Sequence, residues 1–119
     1  EGYQRVVLIE ARCAVTIAKT LIAPACISAQ SELADSIKAV KEVSGGSVSG
    51  VLALLNDICA QTEVMLAAIK TLEAKINEGD VSGMIEATQA LRTPVDELEG
   101  LIPDYLWPLP SYAEMLFMM

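Results

Sequence analysis

The chain has 119 residues, 53% hydrophobic but only 4% aromatic, with a net charge of −8 and no histidine. That length supports one domain around one core. Its eight basic residues are scattered, which excludes the phosphate-binding face of a nucleic-acid binder and argues against an anionic membrane surface, and without histidine the zinc, haem and Glu-x-x-His di-iron sites lose their usual ligand.

The apolar content is carried by Ala, Leu, Ile and Val, which suits helices packed on helices rather than sheets. The expected fold is all-α, an antiparallel bundle of three long helices with a C-terminal extended tail and a short final helix. The first helical region spans about residues 2–43 and carries Val6, Ile9, Cys13, Ile17 and Leu21, then Leu33, Ile37 and Val40. Arg5, Arg12 and Lys19 recur every seven residues and so stay on one narrow face. Those charges, with Glu10 and Pro24, argue against a membrane span in the apolar stretch 6–27, which reads as a helix buried on more than one face. Pro24 removes a backbone donor and predicts a kink; if the bend is sharp, the region counts as two helices and the bundle as four.

Ser44-Gly45-Gly46-Ser47 breaks the pattern, with Gly suited to a left-handed cap and Ser47 placed to cap the next helix. The second helix has the clearest seam: Val48, Val51, Leu55, Ile58, Thr62, Met65, Ile69, Leu72 and Ile76 advance by threes and fours. Glu78-Gly79-Asp80 ends it. Val81, Met84, Thr88, Leu91, Val95, Leu98 and Ile102 repeat the pattern in the third, whose unbroken seam favours a kink over a break at Pro94. These seams are expected to meet in one core, with Leu33, Ile37 and Val40 closing its third side.

Pro103 stops the third helix, so 103–119 is the tail of a single 1–119 domain. Trp107-Pro108-Leu109-Pro110 is extended by the restriction on residues before proline, and Ser111 with Glu114 forms a capping box for the short final helix. The dense apolar surface past the last helix favours docking on another domain or subunit over plugging the end of the bundle.

The chemistry-bearing residues are sparse. Cys13, Cys26 and Cys59 are odd in number and sit in apolar helical contexts, as structural thiols in a reducing, cytoplasmic compartment do; the opening EGYQRVV shows no cleavable signal pattern. Arg92 with Asp96 and Asp96 with Glu99 share a helix face, which a surface ion pair explains better than acid–base catalysis. The glycine turn lacks the lysine and preceding strand of a phosphate loop. No catalytic, cofactor-binding or metal residue is therefore assigned. An all-α enzyme with converging Arg and Lys residues, in the manner of a chorismate mutase, finds too few of them here.

Two stretches resemble the end of the type III glutamine synthetases. The opening carries Tyr3, Ile9-Glu10-Ala11 and Ile22-Ala23-Pro24-Ala25; the close carries Leu91-Arg92, Asp96, Glu99, Trp107-Pro108, Pro110-Ser111-Tyr112 and Leu116-Phe117. The chain departs from the family pattern at Ser28-Ala29-Gln30, where an aromatic-rich step is expected, and at Met118 and Met119, beyond the usual end. Residues 44–90 match only as generic helix. The resemblance implies a full-length enzyme that ligates ammonia to glutamate with ATP and Mg or Mn, whose active site lies upstream. This segment would then be a non-catalytic accessory bundle with no cofactor of its own. Its partners would be the remainder of its subunit and neighbouring subunits of a homo-oligomer. Arg92, Asp96, Glu99, Trp107, Pro108, Pro110, Tyr112 and Phe117 would be structural or docking positions. The alternative is an independent helical-bundle interaction module.

Overall fold

The computed structural model describes residues 2–110. Four α-helices run in order: α1 (Gly2–Ile17), α2 (Ala23–Val43), α3 (Ser49–Glu78) and α4 (Val81–Leu101), with no strand among the described residues. A π-helical turn, Ala18–Ile22, joins α1 to α2 into one continuous helical path. The all-α bundle expected from composition is thus the observed fold.

The π turn is the local answer to Pro24. Proline has no N–H to donate four residues back, so the ladder must be handed over near it. Here the Ala23 N–H reaches the Ala18 carbonyl, five residues earlier, and the Thr20 hydroxyl donates to the Thr16 carbonyl at 2.6 Å. The buried positions on this path are Val7, Ala11, Ala18, Ile22, Ala23, Ala25, Cys26 and Ala29. Most are small, which lets the helix backbone approach its neighbours closely.

Two glycines set the tight turns. Gly45 (φ 65°) follows α2, and its N–H donates to the Val40 carbonyl at 3.1 Å. Gly79 (φ 71°) ends α3 with paired 3.1 Å bonds, Gly79 N–H to the Ile76 carbonyl and Asp80 N–H to the Lys75 carbonyl. Asp80 then caps α4, its carboxylate accepting the Gly83 N–H at 2.9 Å. A Cβ at Gly83 would meet Lys75 Cδ at 2.7 Å and Asp80 Cγ at 2.8 Å, so those two side chains would have to shift to admit a larger residue at the corner. Ser47 is a weaker cap than its position suggests: the Ser49 N–H lies 3.5 Å from its hydroxyl, and the residue entering α3 is Val48, which has no side-chain cap.

The core runs along α3, which packs against α4, α2 and α1. Ile58, Met65, Ile69 and Leu72 of α3 and Met84, Leu91 and Leu98 of α4 are buried, as the two seams predict, with Leu55 and Val95 half-buried. Burying each such side chain contributes about 1.5–3 kcal/mol. Pro94 is fully buried inside α4, which runs on through it. By length and composition α3 could cross a membrane, but its seam is covered here by the other helices. Thr62, the one polar residue buried in that seam among the described residues, donates to the Ile58 carbonyl at 2.6 Å and accepts from Gln30 of α2 at 3.2 Å.

The third side of the core differs from the expectation. Ala18, Ile22, Cys26 and Ala29 close it, whereas Leu33 and Ile37 are half-buried and Val40 is 37% exposed. The reason is length: the 30 residues of α3 span about 45 Å, the 21 of α4 about 31 Å. The far ends of α2 and α3 therefore extend past α4 as a two-helix hairpin, leaving Val40, Val43, Leu52 and Leu54 without a third helix over them.

Candidate docking surface

The first helix is apolar on two sides, and the described residues cover one of them. Val7 and Ala11 face the bundle, while Val6 (52%), Ile9 (56%), Cys13, Ile17 and Leu21 are exposed. These five advance by three or four residues and form a second seam. The periodic set expected from the sequence is this open one; Val7 and Ala11, which the bundle buries, were not part of that expectation. Cys13, expected to be a buried structural thiol, lies on the open seam; Cys26 is buried and Cys59 partly so. Burial raises the Cys26 thiol above its ordinary value, with a hydrogen bond to Thr62 opposing the shift.

Two sets of side chains border the open seam. On the α3 side, Arg12 lines a groove with Glu73 and Ile76, and Arg5 joins it in a second groove against Ile76 and Val81. Lys19 is held by Glu73 at 2.9 Å, whereas Arg5 and Arg12 form no ion pair among the described residues. On the α4 side, a groove of about 360 Å³ runs between α1 with its π turn and α4, lined by Glu10, Ile17, Ile22, Arg92, Val95 and Leu109 among others. The two ends of the chain that carry the family resemblance therefore meet in one groove.

The motif positions spread around that groove without forming a reactive cluster. Arg92 and Asp96 face solvent as a 3.8 Å ion pair, and Glu99 is half-buried one turn on. No group of three or more His, Cys, Asp or Glu side chains suited to a metal occurs among the described residues. Past Pro103 the chain turns back on the bundle, with the Leu106 and Trp107 N–H groups donating to the Pro103 carbonyl at 2.9 and 3.1 Å. Tyr105 donates its hydroxyl to Glu32 of α2. Leu106, Trp107 and Leu109 pack against the core, so the described part of the tail docks on its own bundle, contrary to the expectation that it would dock elsewhere. The Trp107 indole Nε1 is buried with no acceptor among the described residues. Pro108 and Pro110 are exposed. Tyr112, Leu116, Phe117 and the Ser111–Glu114 capping box lie outside the described residues.

The family profile described as the glutamine synthetase C-terminal domain matches residues 1–41, the first helical path. The chain is 27% identical to a type-3 glutamine synthetase of Dictyostelium discoideum over 99% of its own length. It is 28% identical to a glutamine synthetase of Bacteroides fragilis (strain YCH46) over 98% of its length. It spans 18% of the length of each of these relatives. No solved structure matches it. Family profile and chain-long relatives point the same way: the first helical path is similar to the glutamine synthetase C-terminal domain, and the whole chain is similar to a segment of a type-3 glutamine synthetase.

Proposed function

We propose that this bundle is a non-catalytic accessory domain of a type III glutamine synthetase, serving the folding or assembly of a larger cytoplasmic homo-oligomeric enzyme. The observation that carries the reading is the uncovered seam of α1. A helix that keeps Val6, Ile9 and Ile17 in water while burying Val7 and Ala11 is shaped for two neighbours, and the bundle supplies one. The span of 18% of each relative's length leaves ample chain to supply the other. The parent enzyme would join ammonia to glutamate at the expense of ATP with a divalent metal. We assign that chemistry to the remainder of the subunit.

Two measurements test this reading. The purified 119-residue chain is expected to show no ATP-dependent γ-glutamyl transfer; activity in it would overturn the non-catalytic assignment. Removing these residues from the intact enzyme is expected to lower the yield of assembled oligomer. Unchanged assembly and activity would instead favour an independent interaction module.

A further inference from the structure

We infer that the open seam of α1 seats an apolar protein surface rimmed with carboxylates, contributed by the part of the subunit outside these 119 residues. The inference rests on the accessory-domain reading and names the face and the chemistry of its partner.

The charge pattern carries it. The chain is acidic overall at −8, yet α1 and the π turn hold three cations, Arg5, Arg12 and Lys19, against one carboxylate, Glu10. The cations lie along the α3 side of the seam at seven-residue spacing, so Arg5 and Arg12 stay in register with Val6, Ile9 and Cys13. Lys19 is already neutralised by Glu73, which leaves the two arginines at the end of the seam that the bundle covers least. Guanidinium groups beside an apolar ridge fit a partner that brings an apolar ridge and carboxylates together.

A second copy of the chain fits poorly. In a twofold pair of antiparallel helices each flank meets the same flank of its mate, so Arg5 and Arg12 would face Arg5 and Arg12. A parallel pair would set three cations against the single Glu10. Both arrangements leave like charge or unpaired charge at the rim of an apolar contact, which costs affinity.

Cys13 sits in the middle of the seam and reports on its cover. Maleimide labelling of the 119-residue chain should modify Cys13 readily and independently of protein concentration. In the intact subunit the same thiol should react at least about tenfold more slowly, as burial behind a stable contact requires. Arg5→Glu with Arg12→Glu should restore fast labelling in the intact subunit while leaving the melting temperature of the isolated chain unchanged. Arg5→Lys with Arg12→Lys should keep most of the protection. Equal Cys13 reactivity in chain and intact subunit would overturn the inference. If deleting the bundle still impaired assembly, the accessory reading would survive that result. Protection that grows with concentration in the isolated chain would also overturn it, identifying a second copy as the occupant, and protection by anionic vesicles alone would identify a lipid surface.

Discussion

The α3–α4 hairpin and the α1–α2 path are both long, apolar and helical, yet they solve burial differently. In the hairpin each helix has one seam and the seams meet: Ile58, Met65, Ile69 and Leu72 lie against Met84, Leu91 and Leu98. The α1–α2 path presents mostly small residues inward, Ala11, Ala18, Cys26 and Ala29 beside Val7 and Ile22, and larger ones outward, Ile9, Ile17, Leu21 and Ile27. Inward size sets how closely helices approach, while outward bulk is apolar area available to something else. Abundant apolar residues therefore do not by themselves mark the side a helix buries within its own domain.

The sharpest way to break this comparison is one substitution on each region. Ile69→Asp places an unpaired carboxylate at a position only 3% exposed and should abolish cooperative unfolding, a loss of about 3–5 kcal/mol or more. Ile9→Asp, at 56% exposure, should shift the stability of the isolated chain by no more than about 0.5 kcal/mol. Circular-dichroism melts of both decide it, and equal destabilisation would show that the two regions bury their large residues alike. Next in size is Thr62→Val, which leaves Gln30 without its partner in the α2–α3 interface and should cost about 1–2 kcal/mol in chemical denaturation. Asp80→Ala removes the side-chain cap of α4 and should cost about 1 kcal/mol, seen as earlier denaturation with an unchanged slope.

The smallest effect is a titration. The hydrogen bond to Glu32 raises the Tyr105 hydroxyl above its ordinary value, with desolvation and the charge of Glu32 acting in the same direction. The contribution is fully present below the unfolded value of about 10 and is lost as pH rises through the folded one. Glu32→Gln should move the Tyr105 ring resonances to titrate nearer that unfolded value, and an unchanged titration would show that this part of the tail is not held to α2.

The seams of α3 and α4 were legible because each repeats by threes and fours on one face only, so periodicity and burial carry the same information. Gly79 and Asp80 were legible as the corner between them because turn chemistry leaves few alternatives. The buried side of α1 was not legible, since two apolar faces give the same periodic signal from either direction. Pro24 announced a disturbance, but a missing N–H does not specify whether the helix bends or takes in an extra residue as a π turn. The overhang of α2 and α3 follows from where α4 stops, a comparison of lengths that no single helix contains. The grooves beside α1 escaped notice because Glu10, Ile22, Arg92 and Leu109 are brought together only by the fold.

The two-residue corner at Gly79–Asp80 also bears on the order of folding. Closing so short a loop costs little chain entropy, and the contacts it permits between α3 and α4 are close in sequence. The hairpin is therefore the natural early structure. The contacts of α1 with α4 join residues at opposite ends of the chain and must form late. During synthesis α1 ends at Ile17, 32 positions before the hairpin it will pack on begins at Ser49, with both apolar seams bare. Under the proposed accessory reading, a neighbour already folded upstream would shorten that wait, and the open seam would then aid productive folding as well as joining the two.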